Sequence, residues 1–478
     1  MLTKNYFKKM NMPHHPPQLK LGVNNRTKNA TFESHDPSML RDKKSGFYYS
    51  YSTDATITSP FQMGVQIRKS PDLIHWKYVG VALCDESIQE GSDNGANEAP
   101  TVGFWAPFVE FSGGEYRMYY SATKEFGSSE SRIWLAASDS PEGPFVNRGV
   151  VADTWGTDDT YPNAIDPHIV NTTEGEKYLI YGSFFGGIFA KLLSSETGLT
   201  ADADTHALGT CIAKKGVRAT EDGPEGPAAI YVPHTGWYYL FISYAWLGDT
   251  YDIRVGRSKS PIGPFFDYMG DDLMEQSMGT KLANSYIFTA KNPNVTPHTE
   301  QEWTWGGFRG PGHGVPFYDD STKEYYFVHH VRDGAPQLCE KWPRASYKMH
   351  YLMIRKMEFV DDWPVLSPEP YAGEDNGEIT QDYLYGEWET IMQTNESNQP
   401  KLSQKSILSQ DGSYCCPQNQ NGKWSYCEQS KILTITFTDG ATVLAKMLKC
   451  WDFENGNPTI CYTGISSKGI AYWSKRVN

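Results

Sequence analysis

Three carboxylates in this chain sit at the same kind of backbone step. Asp36 precedes Pro37 in SHDPSML (34–40), Asp166 precedes Pro167 in AIDPHIV (164–170), and Glu225 stands one residue before Gly226-Pro227. Crowded carboxylates repel one another, so at least one is pushed to a higher pKa. A pair separated in this way supplies a general base and a general acid. Cleavage of a glycosidic bond needs such a pair on opposite sides of the bond. His35, His168 and His313 lie at comparable steps, and Trp105 offers a flat apolar face of the kind a sugar ring stacks on. Read singly, each residue has a plainer role. An Asp-Pro step caps a turn or a strand, Glu225 pairs with a cation such as Arg218, the histidines are loop or supporting residues, and Trp105 is core. Their common register decides between the two readings.

That register is a repeat. Proline steps occur at Asp36-Pro37, Ala106-Pro107, Asp166-Pro167, Gly226-Pro227 and Val315-Pro316, spaced by 70, 60, 60 and 89 residues. About ten residues after each comes an aromatic strand: GFYYSYS, EYRMYYSAT, KYLIYGSFF, GWYYLFISYAW and EYYFVHHV. In three units a further proline (Pro71, Pro141, Pro261) follows the leading one by 34 residues. Each unit reads as a four-stranded sheet, and five sheets set radially make a five-bladed β-propeller over residues 31–360. Proline is tolerated at a strand's first residue. The residues beside the five steps therefore converge on one mouth, Asp36 facing Asp166 across it. Tyr119 and Tyr239 read as packing between blades. An insertion is expected around 270–310 in the fifth unit.

After about residue 360 the landmarks stop. Residues 361–380 read as a connector, and short alternating strands over 381–478 read as a small β-barrel or sandwich. Residues 1–30 read as an N-terminal extension. The fold class is thus all-β. A net charge of −14 without a basic block argues against a nucleic-acid partner. No apolar run is long enough to span a membrane. The basic start, MLTKNYFKKMNMPHHPP, lacks the apolar core of a complete signal peptide. Five of the eight cysteines fall in the last 64 residues with no CxxC pair, which disfavours zinc. One local bridge from Cys415 or Cys416 to Cys427 is open to the sequence, as are free thiols.

HDPS, FWAP, NAIDP, EGP and GHG, in this order on a five-unit repeat, resemble glycoside hydrolase family 43. GSFFGGI (182–188), DDWPVLSPEPYAGE (361–374) and the closing TICYTGISSKGIAYWSKR are similar to its two-domain, extracellular endo-α-1,5-L-arabinanases. The resemblance implies an inverting hydrolase acting on arabinan side chains of pectin, secreted or held in the periplasm or at the cell surface, and monomeric. It implies Asp36 as general base, Glu225 as general acid, and Asp166 as the residue that orients the acid and raises its pKa. It assigns Trp105, Asn163, Ser183 and His35 to the substrate and His313 to one calcium ion on the axis. Two features depart from the family pattern: Trp134 in SRIWLAAS and the 270–310 insertion. Both bear on whether attack is endo or exo. An exo-acting arabinanase, an α-L-arabinofuranosidase or β-xylosidase of the same family, and a non-catalytic sugar-binding propeller are the competing readings. The last should lack an acid or a base, and all three carboxylates are present.

Overall fold

The computed structural model describes residues 12–13, 17–19, 25–92, 103–157, 162–215, 223–248, 250–275, 277–289, 307–334, 349–395, 400–416 and 421–477. Arg218, Cys339 and most of the second half of the expected insertion lie outside them. Five antiparallel sheets form the propeller, and their inner strands are Ser38–Arg41, Trp105–Ser112, His168–Asn171, Glu225–Val232 and Phe308–Asp319. The second strands are the aromatic segments: Tyr48–Ser52, Glu115–Thr123, Lys177–Tyr181, Trp237–Tyr244 and Glu324–Asp333. β-branched and aromatic residues favour these strands because their side chains pack on both faces of a pleated sheet. Tyr119 shows the result. It is fully buried between blades two and three with Leu135, Leu179 and Tyr181, and its hydroxyl donates to Gly198 O at 3.1 Å. Burial of each such ring contributes about 1.5–3 kcal/mol. The ring of blades is closed where residues 31–33 meet blade five: Phe32 bridges Tyr351, and Leu352 N–H donates to Thr31 O at 2.7 Å.

Two boundaries differ from the sequence reading. Thr280–Ala283 is the outer strand of blade four, so the expected insertion begins later than residue 270. Trp363–Leu366 is the outer strand of blade five, so the connecting stretch begins after it. Both strands are short and lie on the sheet edge, where the alternating pattern is weakest.

The C-terminal strands close into an eight-stranded barrel, with Gly386–Met392 paired to both Gln404–Leu408 and the last strand, Ala471–Arg476. Its interior is filled by Trp388, Leu433, Ile435, Met447 and Tyr462. A barrel this small is a packed core. Lys401–Leu402 leaves the barrel to pair in parallel with Tyr286–Ile287 of the fifth sheet. Lys475, 1% exposed, binds Glu369 at 2.8 Å and Asp452 at 2.7 Å and also reaches Glu454, which ties the barrel to the connecting stretch. Cys415, Cys416 and Cys427 are free thiols, so the local bridge is absent.

Candidate active site

The proline steps mark β-bulges. In blade two Trp105 pairs with Ser121 and Phe108 with Tyr119; in blade four Glu225 pairs with Ser243 and Ala228 with Phe241. The two residues between are bulged, and the first takes a left-handed backbone: φ is 49° at Asp36, 45° at Ala106, 61° at Asp166 and 56° at Gly226. Such a bulge re-aims the side chains at the head of the strand. Blade five differs from the sequence alignment. There Gly312 pairs with His330 and Val315 with Val328, so the bulge is His313-Gly314 and not Val315-Pro316. His313, with φ 50°, therefore occupies the position of Asp36 and Asp166. The proline two residues on is a strand residue that happens to resemble the landmark.

Each bulge N–H needs an acceptor, and the preceding blade supplies it. Ala106 N–H donates to Thr53 Oγ1 at 2.8 Å, Asp166 N–H to Ser121 Oγ at 3.1 Å, His313 N–H to Ser243 Oγ at 3.0 Å and Asp36 N–H to His330 Nδ1 at 3.3 Å. In blade three the matching residue is Gly182, which has no side chain. The Gly226 N–H turns instead to Asp166 Oδ2 at 3.0 Å. This binds Asp166 to the backbone immediately after Glu225.

Asp36 is cradled by imidazoles. His35 Nδ1 lies 2.7 Å and His313 Nδ1 3.2 Å from its Oδ1, and Thr53 Oγ1 donates to Oδ2 at 2.6 Å. Burial pushes the Asp36 pKa up, but His35, His313 and His330 together outweigh it and hold the group well below the usual carboxylate range. Glu225 is tuned the other way. Burial, then the charge of Asp36, raise its pKa, against the opposing hydrogen bonds from Tyr251 and Ser183. Ser183 Oγ donates to Glu225 Oε2 at 3.2 Å. Asp166 is also raised, first by burial, although His313 and the Gly226 N–H oppose it. One carboxylate is thus held ionised and two are held toward the protonated form.

Asp36, Asp166, Glu225, His35, His313 and Trp105 line one cavity of about 320 Å³. Asn163 and Ser183 line an adjoining one of about 490 Å³, which shares Trp105, Phe126, Ile165, Glu225 and Leu247 with the first. His168 is not on either wall. Its Nδ1 accepts the Ala229 N–H at 3.3 Å, its ring packs on Phe108, and burial drives its pKa down to about 3. Trp134 is buried with the core of blades one and two, away from both cavities. Tyr251, Thr53, His330 and Arg332 escaped the sequence reading. The repeat itself carried a signal for two of them, since Thr53 and His330 each lie 17 residues after their bulge residues Asp36 and His313. Tyr251 had none. Gly312 makes room for it: a Cβ there would lie 1.8 Å from the Tyr251 ring.

The donor set bears on a cation. His35, Asp36 and His330 lie close enough to share one, but His330 Nδ1 is already the acceptor of the Asp36 N–H and His35 Nδ1 faces Asp36. His313 Nδ1 faces Asp36 as well, which leaves its Nε2 as the nitrogen for an ion. One imidazole fits a hard cation only where water oxygens complete the shell.

An all-β propeller whose axial mouth gathers three carboxylates, one held toward the ionised form and two toward the protonated form, has the construction of a glycoside hydrolase. The chain belongs to the glycosyl hydrolases family 43, whose model matches residues 30–364; a model described as a C-terminal lipocalin-like domain matches residues 368–474. It is 30% identical over 472 residues to an extracellular endo-α-(1→5)-L-arabinanase of Thermotoga petrophila, covering 93% of each chain. It is 26% identical over 474 residues to extracellular endo-α-(1→5)-L-arabinanase 2 of Bacillus subtilis, covering 92% of each. The crystal structure of endo-1,5-α-L-arabinanase from Thermotoga petrophila superposes with a TM-score of 0.77 at 27% identity, covering 94% of this chain and 99% of that one.

Proposed function

We propose that this chain is an inverting, endo-acting hydrolase of α-1,5-linked L-arabinofuranosyl bonds in arabinan, with Asp36 as base and Glu225 as acid. The observation that carries the reading is the opposite tuning of Asp36 and Glu225 in one cavity. Two relatives named as arabinanases match over nearly the whole chain and support the substrate. In the reaction Asp36 takes a proton from a water molecule, whose oxygen bonds to the anomeric carbon. The glycosidic C–O bond breaks on the other side, and Glu225 delivers its proton to the leaving oxygen. One inversion results, and both protons then re-equilibrate with solvent. Asp166 holds the backbone beside Glu225, Trp105 stacks on the sugar, His35 sets Asp36, and Asn163 and Ser183 line the leaving side. A calcium ion held by His313 Nε2 and water oxygens would supply positive charge to the site. The relatives' description as extracellular supports secretion, and the proposed enzyme acts as a monomer.

The test is a time course of products from linear, debranched arabinan, separated by size, with and without a chelator. An early ladder of oligosaccharides supports endo attack. A single short product from the start means exo attack. No product, with xylo-oligosaccharides cleaved instead, overturns the substrate.

A further inference from the structure

Phe126 and Trp246 are 65% and 48% exposed, large for aromatic side chains, yet each rests against the other. Their rings meet edge to face, with centroids 6.4 Å apart and planes at 89°. Phe126 lies between the second and third strands of blade two, and Trp246 lies between those of blade four. The contact therefore bridges over blade three. Phe126 also stands 6.2 Å from Trp105, so Trp105, Phe126 and Trp246 form a chain of ring contacts along the cleft. Both rings line the cavity of about 490 Å³, Phe126 bordering the first cavity as well, and the opposite wall is Asn163, Ser183, Phe184 and Phe185 of blade three. That wall is strained: Phe184 and Phe185 have φ of 53° and 34°, conformations that bulky residues hold only where the surroundings impose them. Trp246 is anchored at its base, because its N–H donates to Thr250 Oγ1 at 3.1 Å and the next carbonyl, Leu247 O, accepts Arg332 Nε at 2.6 Å.

The direction of the chain through this passage follows from the carboxylates, and so rests on the roles proposed above. The first cavity contains both Asp36 and Glu225; the second contains Glu225 without Asp36. In an inverting displacement water lies on the base's side and the leaving oxygen on the acid's side. The second cavity, beyond Glu225, is then the path of the leaving chain. We propose that Phe126 and Trp246 form an arch over the leaving-side part of the cleft, which the departing arabinan chain must pass under, and that this arch slows entry of the interior of long chains relative to short ones without abolishing endo attack. A short oligosaccharide slides beneath the closed arch. A polymer entering sideways must first break the ring contact.

The experiment compares kcat/KM on debranched arabinan with kcat/KM on a short linear arabino-oligosaccharide, for the wild type, Phe126→Ala, Trp246→Ala and the double variant. Both side chains are at the surface, and thermal unfolding of each variant checks that the fold is kept. The polymer-to-oligosaccharide ratio is expected to rise roughly two- to tenfold in each single variant, the range an edge-to-face contact commands. The double variant should go no further, because either truncation alone opens the arch. Additive losses on both substrates would mean two independent stacking platforms and overturn the arch. An unchanged ratio overturns it as well. A wild type that releases nothing from arabinan overturns the substrate reading and the arch with it, an outcome distinct from release with an unchanged ratio.

Discussion

Asp166 Oδ2 accepts the backbone N–H of Gly226 at 3.0 Å, in the one blade interface where the preceding sheet has glycine (Gly182) in place of an accepting side chain. The carboxylate thus substitutes for the serine, threonine or histidine side chain used at the other interfaces and fixes the residue next to Glu225. Among the causes that raise the Glu225 pKa, burial leads and the charge of Asp36 follows. Glu225 in turn raises the Asp166 pKa, so the two carboxylates repel each other and Asp166 bears on Glu225 through charge as well as position.

This relationship separates two substitutions at one site. Asp166→Asn keeps an oxygen for the Gly226 N–H but removes the charge, so it should retain part of the turnover with the alkaline limb of the pH profile moved to lower pH. Asp166→Ala leaves a buried N–H without its acceptor and should lower kcat by roughly tenfold or more. Equal kcat in the two variants would contradict a positional role.

Asp36→Asn and Glu225→Gln should each lose about 10²–10⁴ in kcat on arabinan, the usual worth of a positioned base or acid. An aryl arabinofuranoside with a good leaving group needs less protonation. On it Glu225→Gln should recover and Asp36→Asn should not. The same rescue in both variants would reverse or erase the assignment.

The pH profile of kcat/KM should be a bell with both limbs displaced outward. Asp36 works ionised, and its imidazole neighbours lower its pKa, so the acidic limb lies below the ordinary Asp value of about 3.9. Glu225 works protonated, and burial raises its pKa, so the alkaline limb lies above the ordinary Glu value of about 4.3. Ser183 and Tyr251 stabilise the ionised form of Glu225. Ser183→Ala and Tyr251→Phe should therefore move the alkaline limb to higher pH and leave the acidic limb in place. A shift to lower pH would refute that contact.

Arg332 Nη2 lies 2.8 Å from His35 Nε2, and a guanidinium only donates, so His35 accepts on Nε2 and carries its proton on Nδ1, toward Asp36. Arg332→Met should free the ring to take the other tautomer, raise the Asp36 pKa and move the acidic limb upward, with a loss of roughly tenfold in kcat. Arg332→Lys should restore part of it. An unmoved acidic limb in Arg332→Met would remove Arg332 from the relay.

Lys475 is the cation among the buried or half-buried Glu369, Asp452 and Glu454. Lys475→Met should destabilise the protein by about 3–5 kcal/mol, because like charges are left together out of water. Urea unfolding followed by tryptophan fluorescence reads this. A midpoint equal to the wild type would show that water reaches the cluster and screens it.

The amino-acid sequence by itself determined the repeat, and with it the blade number and the three carboxylates. A bulged strand start imposes a backbone that Asp-Pro, Ala-Pro and Gly-Pro steps satisfy, and this local demand recurs in every blade. Where the demand was met differently, as by His313-Gly314, the spacing pointed two residues too far. Asp36, Asp166 and Glu225 and their order along the chain are likewise local facts. Only the tertiary structure decided what surrounds them. Arg332 and His330 reach His35 and Asp36 across 297 and 294 residues of chain, from the last blade to the first. Tyr251 enters a space that Gly312 leaves open, and Phe126 meets Trp246 above a blade to which neither belongs. These contacts depend on closing the ring of blades. The His330 contact has counterparts at other blade interfaces, and the repeat places it; the contacts of Arg332, Tyr251 and Phe126 have no such counterpart among the described residues, so no strand repeat specifies them.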